Sequence, residues 1–388
     1  MFEGMTDATR NASRTRHNWA GEASGSLGDL GTFVPHVLGA LTVVGLAPFG
    51  VLIGFGAFLL ATGLFYALPI AVQPMKAVSA VMLTGQLGPG EVAATGLVIG
   101  AVFLVLGLTG GIGWLARLIP RSVTAGLQLG LGLSMVVLGA GMMAQTPVLA
   151  AVAMVIVVAG LILPRLPAAP LAIVATVAIA WSSGLYELPA APAFGWSLPG
   201  LTVPTWAEVV RAIELGVVPQ LPLTFTNAII VTAALARDLF PDGAARVTER
   251  NLSLSTGIAN LALAPLGAMP MCHGAGGLQA QYRFGARTGW APVILGVALI
   301  VFALGFSDGA AALLGAIPTG AVGALLVVAG GDLAMSRRLF DSRVECWPSI
   351  AVAAALTLFV NPAAGLAGGW AIEVGRTIWV RARARKTS

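Results

Sequence analysis

The chain has 388 residues, of which 57% are hydrophobic and 10% are charged, with a formal net charge of +5 and a mean hydropathy of +0.90. A soluble domain carries about a quarter charged residues, so this composition excludes a water-exposed globular protein and predicts an all-α bundle embedded in a membrane. The net positive charge does not indicate nucleic-acid binding, because the basic residues lie in short loops and tails, where membrane topology requires them.

In chain order, the sequence opens with a polar stretch (1–25) that lacks the apolar core of a signal peptide and is predicted to be a cytoplasmic tail. Apolar runs of about 17–25 residues then recur, each long enough to cross a bilayer. We predict about fourteen segments, seven in a first repeat (26–185) and seven in a second (211–380), with an extracytoplasmic linker (186–210) between them and a cytoplasmic tail (381–388) at the end. The segments centre near 27–45, 49–68, 74–87, 92–114, 121–143, 147–163, 168–184, 211–235, 251–264, 271–283, 290–306, 310–330, 346–360 and 362–380.

The distribution of arginine supports this count, because positive residues concentrate in cytoplasmic loops. Predicted inner loops and tails contain Arg10, Arg14, Arg16, Arg117, Arg121, Arg165, Arg237, Arg246, Arg250, Arg283, Arg287, Arg337, Arg338, Arg343, Arg381, Arg383 and Arg385. Predicted outer loops contain Glu91, Gln145, Glu187, Glu208 and Asp308, with only Arg211 at a helix edge. A multi-pass protein of the cell inner (plasma) membrane with both termini cytoplasmic is therefore expected.

Two proline-containing stretches repeat along the chain. The pattern P-x4-P-M at residues 69–75 recurs at 265–271, an offset of 196 residues, and Thr32-Phe33 and Ile119-Pro120 recur at nearly the same offset. Since seven spans separate the copies, the second half would be inserted upside down relative to the first. Proline-broken segments at equivalent positions of inverted repeats point to a transporter site, so we predict discontinuous third and tenth helices; kinked continuous helices are the alternative.

The physics of such a break favours an anion. An extended stretch that leads into a half-helix leaves the first N–H groups of that helix without partners, and these donors, with the positive end of the helix dipole, attract negative charge. Pro74 and Pro270 suit the start of a helix, where a missing N–H costs nothing.

Candidate substrate-binding residues cluster at the first break. Lys76 is the only lysine besides Lys386, and a lysine at this depth is expensive unless it is paired or hydrated; a snorkelling lysine near the inner face is the alternative. Gln73 offers an amide donor, Met75 lies between the two, and Ser79 shares a face with Lys76.

At the second break the candidates are Cys272, His273, Gly274 and Ala275. Glycine permits close approach of the backbone to a ligand, and His273 could donate to an oxyanion, carry a coupling proton or simply pack. The two cysteines of the chain, Cys272 and Cys346, are far apart, so we expect no disulfide framework, no metal site and no cofactor.

Polar residues on the first and eighth spans complete the candidate site. Thr32, Thr224 and Asn227 offer hydroxyl and amide donors, with interhelical hydrogen bonding as the alternative role. Asp29 could cap the first helix or bind a coupling cation. Arg283 is expected to be an inner anchor or a residue of the exit path.

At these residues the chain resembles the MOT-type molybdate transporters, distant relatives of the SulP sulfate transporters. The resembling stretches are 28–35, 72–76, 227–242, 267–277 and 281–289, and the similarity extends over nearly the whole chain. The resemblance implies the seven-plus-seven inverted-repeat fold of the uracil permeases, divided into core and gate domains, with substrate between the third and tenth helices. Typical SulP carriers have a STAS domain after the last span; only a few basic residues follow Trp379, so no STAS domain is expected. Nucleobase carriers of this fold use carboxylates where this chain has Thr224, Asn227 and His273, which argues against a nucleobase.

The predicted function is secondary active uptake of molybdate by alternating access. The negative charge of the substrate is inferred from the residues, and its identity as molybdate is implied by the resemblance. No nucleotide-binding motif is present, so ATP is not the direct energy source. A dianion entering a negative cell opposes about 2.3 kcal/mol per charge per 100 mV, so a co-transported cation, a proton, is expected. Sulfate transport or exchange of the SulP type, or a channel, is the alternative within the class; a membrane enzyme or receptor is the remote one, since His17, His36 and His273 are scattered. Expected partners are the oxyanion, the cation, the lipid bilayer and, in a homodimer, a second copy of the chain.

Overall fold

The computed structural model describes residues 18–112, 120–163, 166–184, 195, 198, 200–306, 309 and 316–387. Several residues used to predict the topology lie outside this part of the chain, namely Arg10, Arg14, Arg16, Arg117, Arg165, Glu187 and Asp308.

Helices dominate the described residues, and each follows an apolar run of the sequence. They are α1 (Trp19–Ser26), α2 (Leu30–Gly39), α3 (Pro48–Tyr66), α4 (Lys76–Leu83), α5 (Pro89–Thr109), α6 (Arg121–Met143), α7 (Pro147–Ile162), α8 (Ala168–Ser182), α9 (Trp206–Ala212), α10 (Val218–Leu223), α11 (Thr232–Leu239), α12 (Glu249–Leu263), α13 (Ala275–Arg283), α14 (Trp290–Phe306), α15 (Thr319–Ala334), α16 (Arg337–Phe340), α17 (Trp347–Phe359) and α18 (Pro362–Thr387). Short strands β1 (Val72–Pro74) and β2 (Met271–His273) precede α4 and α13.

Many of these helices are long and apolar enough to cross a bilayer. Within the described residues six meet that criterion: Trp19–Val44, Pro48–Tyr66, Pro89–Thr109, Arg121–Met143, Trp206–Leu239 and Thr319–Phe340. Four further apolar helices are shorter, at Pro147–Ile162, Ala168–Ser182, Trp290–Phe306 and Val344–Phe359. The fold is therefore that of a mostly helical, multi-pass membrane protein, while the count of fourteen spans stays a prediction.

Glycines bring the helices into close contact. A Cβ added at Gly132 of α6 would lie 2.4 Å from the carbonyl oxygen of Gly330 on α15, and one added at Gly139 would lie 2.7 Å from that of Gly323. Small residues at such crossings let backbones approach, which is the main source of helix association in lipid, where no hydrophobic driving force remains. The abundance of glycine therefore serves packing between helices.

The two repeated proline stretches meet in the interior. Strands β1 and β2 pair antiparallel, with Gln73 opposite Cys272, and the N–H of Met75 donates to the carbonyl of Pro270 at 3.0 Å. A residue before proline is disfavoured in the helical conformation, which accounts for the extended backbone of Gln73 in β1; in the second stretch Pro270 comes before β2, so the same restriction acts on Met269. Helix α4 begins at Lys76 and α13 at Ala275, so Pro74 lies in β1 and Pro270 precedes β2, and neither is in the first helical turn, contrary to the prediction. The discontinuous third and tenth helices stay a prediction.

Segments predicted on the same side of the membrane contact each other. On the predicted inner side, Arg246 donates to the carbonyl of Phe65 at 3.0 Å and Arg250 to that of Gly107 at 3.3 Å. On the predicted outer side, Arg211 pairs with Glu91 at 3.2 Å. The grouping agrees with the predicted alternation, and the assignment of one face to the cytoplasm stays a prediction.

Helices extend into both predicted tails. Residues 19–25 of the expected N-terminal tail (1–25) belong to α1, in which Glu22 is buried and accepts hydrogen bonds from the N–H groups of Arg287 and Thr288, each at 3.0 Å. At the other end, α18 continues through the expected tail to Thr387, because no proline or glycine interrupts the helix after the apolar run. Within the predicted twelfth segment, α15 begins at Thr319, and residues 310–315 lie outside the described part.

Candidate functional site

The start of α4 is partly capped by a residue that sequence reasoning missed. The side-chain oxygen of Gln220 accepts hydrogen bonds from the N–H groups of Ala77 and Val78, at 2.9 and 3.2 Å. Its side-chain nitrogen donates to the hydroxyl of Thr224 at 2.8 Å. The expectation that all N–H groups of this half-helix are open is therefore wrong for these two. The available signal was a glutamine in an apolar span, since a buried amide in a membrane needs a partner.

The start of α13 is more open. Within the described residues, the N–H groups of Ala275, Gly276 and Gly277 have no hydrogen-bond acceptor. A Cβ added at Gly276 would meet nothing within 4 Å, whereas one added at Gly274 would lie 1.6 Å from the side-chain oxygen of Gln73. Gly274 is thus required by packing, and Gly276 leaves its neighbourhood accessible to a small ligand.

Gln73 and Asp29 form a buried pair between the two breaks. The side-chain nitrogen of Gln73 donates to Oδ1 of Asp29 at 2.5 Å, and both residues are less than 5% exposed. A Cβ added at Gly277 would lie 2.6 Å from Oδ2 of Asp29, so the carboxylate lies against α13 as well. Asp29 makes no side-chain capping hydrogen bond to α2, which leaves the capping role without a contact to support it.

Lys76, the first residue of α4, extends towards α15. Its Nζ lies 3.5 Å from Oδ2 of Asp332, and the two side chains are 23% and 74% exposed. Asp332 is not among the predicted site residues, because the predicted twelfth span ends just before it. The lysine therefore faces an interior space rather than only the membrane surface.

Two adjoining cavities surround the half-helix termini. The larger, of ≈ 480 Å³, is lined by the predicted residues Gln73, Lys76, Thr224, Asn227, Cys272, His273, Gly274 and Ala275. The smaller, of ≈ 410 Å³, is lined by Asp29, Thr32, Lys76 and Arg283, and also by His36. Met75 is fully buried and is absent from both linings. The structure thus brings together all the predicted binding residues except Met75.

Asn227 lies in a stretch of irregular helix. Residues Thr224–Val231 form π-helical turns between α10 and α11, and the hydroxyl of Thr232 donates to the carbonyl of Asn227 at 3.0 Å. Departures of this kind are frequent at functional sites. They place Thr224 and Asn227 on the same cavity wall.

The ring of His273 is held by protein contacts. Its Nδ1 lies 3.2 Å from the carbonyl oxygen of Ala71, which can only accept, so Nδ1 carries a proton. Its Nε2 lies 2.7 Å from the hydroxyl of Ser255, which lies 2.8 Å from the hydroxyl of Tyr66. These contacts satisfy both ring nitrogens and agree with the packing role considered for this residue; no contact with a ligand follows from them.

A second histidine joins the spans around the site. Nδ1 of His36 on α2 lies 2.8 Å from the hydroxyl of Ser79 on α4, and both side chains are buried. Ser79 is therefore engaged with His36 and lines neither cavity. Among the described residues no cluster of His, Cys, Asp or Glu could hold a metal ion.

Comparison with known proteins shows the family of the chain. The chain matches the family described as molybdate transporter of the MFS superfamily over residues 21–135 and 212–333. It is 30% identical to Molybdate transporter 2 of Arabidopsis thaliana, with 89% of this chain and 84% of that protein covered. It is 29% identical to Molybdate transporter 1 of Chlamydomonas reinhardtii, with 83% and 85% covered.

The fold is also that of solved anion transporters. The transmembrane domain of the cyanobacterial bicarbonate transporter BicA superposes with a TM-score of 0.67 at 17% identity, with 90% of this chain and 98% of that chain covered. Murine Slc26a9, described as an anion transporter in the inward-facing state, superposes with a TM-score of 0.69 at 14% identity, with 96% and 70% covered. The chain belongs to the molybdate transporter family and has the fold of the SulP/SLC26 transporters.

Proposed function

We propose that this protein takes up molybdate by secondary active transport. The observation that carries the proposal is the convergence of Lys76 and the open N–H groups at the start of α13 on one cavity of ≈ 480 Å³. A positive side chain and helix N-terminal donors stabilise a small anion. The substrate name follows from the relatives, which are named molybdate transporters.

In this proposal the oxyanion lies between the starts of α4 and α13. Two N–H groups of α4 are occupied by Gln220, so α13 supplies most of the backbone donors and α4 supplies the ammonium of Lys76. Thr224 and Asn227 add side-chain donors on the opposite wall. A point charge opposite a set of N–H groups suits a tetrahedral dianion better than a flat, neutral base.

Alternating access would use the two halves as inverted repeats. The contact of α3 with α14 has a counterpart in that of α12 with α5, and β1–α4 has a counterpart in β2–α13. Another set of contacts joins α6, α7, α8, α15, α17 and α18 into a second bundle. In this scheme the fourteen segments divide into a core that holds the site and a gate that moves against it.

Proton coupling is assigned to Asp29. A buried carboxylate in a membrane interior is costly and marks a functional site by default, and Asp29 contacts Gln73, which lines the larger cavity. Protonation of Asp29 would weaken the hydrogen bond that it accepts from Gln73 and would require no large movement of either residue. Cytoplasmic termini and a plasma-membrane location complete the proposal, and both rest on the arginine distribution.

The test is uptake of labelled molybdate into proteoliposomes. With an inward pH gradient we expect accumulation that tungstate and sulfate reduce and uracil does not. Lys76→Ala should weaken binding by about tenfold or more, since a hydrogen bond to a charged group contributes about 1.5–3 kcal/mol; Lys386→Ala is the matched control. Absence of any molybdate-dependent uptake by the wild-type protein would refute the proposal, and preferred uptake of sulfate would reassign the substrate.

A further inference from the structure

The two cavities share a small set of lining residues. Lys76, Gly276, Gln279 and Asp332 belong to both linings, so the ion pair of Lys76 with Asp332 lies at the boundary between the two spaces. Asp332 is also the only acidic side chain among the described residues that lines the larger cavity. A carboxylate is an unexpected wall for a space that receives a dianion, because like charges repel.

The geometry of the pair allows it to break readily. The N–O distance is 3.5 Å and Asp332 is 74% exposed, which places the pair among the solvated ion pairs that contribute little. Asp332 makes no other hydrogen bond within the described residues. The carboxylate therefore holds Lys76 loosely and is free to leave it.

We propose that Asp332 is a built-in competitor of the substrate for Lys76. In the substrate-free protein the carboxylate of Asp332 pairs with the ammonium of Lys76, and the incoming oxyanion displaces that carboxylate. After transport the carboxylate returns to Lys76 and favours release of the anion. This role rests on the proposed function, because it requires an oxyanion that binds Lys76.

A competitor of this kind joins two parts of the fold. Lys76 begins α4, whose strand β1 pairs with β2, whereas Asp332 lies on α15, which packs against α6. When the substrate oxyanion replaces the carboxylate of Asp332 at Lys76, the contact between α4 and α15 is therefore also broken. The alternative is that the ion pair of Lys76 with Asp332 has no role in transport, and the experiment must distinguish this from competition.

The first measurement is the dissociation constant of molybdate for purified wild-type protein, Asp332→Asn and Asp332→Glu. We expect Asp332→Asn to bind about two- to fivefold more tightly, the factor that corresponds to removal of a weak ion pair, and Asp332→Glu to remain near wild type. Asp242→Asn, which changes an exposed acid in a distant loop, is the matched control. An unchanged or weaker affinity of Asp332→Asn would overturn the proposal.

The second measurement is the reactivity of Lys76 towards an amine-specific reagent, followed by mass spectrometry without substrate. The sequence contains only one other lysine, Lys386, which serves as the internal reference. Loss of the partner should raise the labelling of Lys76 in Asp332→Asn, and molybdate should protect Lys76 in both proteins. If Asp332→Asn binds molybdate more tightly but Lys76 is labelled as in the wild type, Asp332 acts only by repelling the anion through space. That result would overturn the proposal that Asp332 competes for Lys76. If wild-type protein binds no molybdate, the proposed function fails instead, and that result is distinct from either outcome above.

Discussion

The side-chain amide of Gln73 and the carboxylate of Asp29 are joined by a hydrogen bond of 2.5 Å, buried between the first span and the two proline breaks. This contact connects a residue of the substrate cavity with the acid to which we assign proton coupling. A hydrogen bond to a charged carboxylate is about twice as strong as one between neutral groups. Neutralisation of Asp29 would therefore weaken its hydrogen bond with Gln73.

Asp29→Asn should uncouple transport from the proton gradient. Without a titratable group, a pH gradient can no longer drive uptake, so accumulation of molybdate at an inward gradient should fall at least about tenfold, as expected when a buried functional acid is removed. Exchange of labelled for unlabelled molybdate at equal pH should continue. Asp242→Asn, at an exposed acid of the loop after α11, is the control, and undiminished gradient-driven uptake by Asp29→Asn would rule out this role.

Gly274 and Gly276 form a matched pair with opposite expectations. Gly274→Ala places a Cβ about where the side-chain oxygen of Gln73 lies, at 1.6 Å, so we expect a large loss of thermal stability. Gly276→Ala meets no atom within 4 Å and should fold normally, but its methyl group would occupy space near the open N–H groups and weaken molybdate binding. Unfolding curves in detergent and binding measurements separate the two effects; equal stability of both variants would contradict the packing argument.

Gln220 is expected to stabilise α4 rather than to bind substrate directly. Gln220→Leu removes the acceptor of two buried N–H groups, and an unsatisfied buried donor costs about 1–3 kcal/mol. Gln220→Glu keeps an acceptor but adds a negative charge to the cavity wall, so it should retain more stability and bind molybdate more weakly. Thermal unfolding and binding of both variants test this, and a fully stable Gln220→Leu protein would show that the contact is unimportant.

Glu22 should anchor helix α1 to the start of α14. Its carboxylate accepts hydrogen bonds from the N–H groups of Arg287, Thr288 and Ala291, at 3.0, 3.0 and 3.1 Å. A side chain that caps a helix N-terminus contributes about 0.5–2 kcal/mol, so Glu22→Ala should lower the unfolding temperature. The affinity for molybdate should not change, because Glu22 lines neither cavity; a weakened affinity at unchanged stability would argue against a purely structural role.

The sequence by itself determined the class of protein and the location of the breaks. Apolar length and scarcity of charge make a membrane bundle the only fold that suits this chain, and Pro74 and Pro270 disfavour helix at the residues that precede them. Because these are local properties of the chain, they could be predicted without tertiary information. The same is true of Lys76, whose cost in hydrocarbon marks it as paired or hydrated.

Only the tertiary structure decided which polar groups satisfy one another. The N–H of Ala77 donates to the side-chain oxygen of Gln220, and Nε2 of His273 lies against the hydroxyl of Ser255. No local sequence pattern indicates that these residues meet. The pairing of Lys76 with Asp332 crosses between distant helices in the same way. Buried polar groups in a membrane must find partners within the protein. The sequence shows that a partner is needed, but which residue serves as the partner depends on how the helices pack.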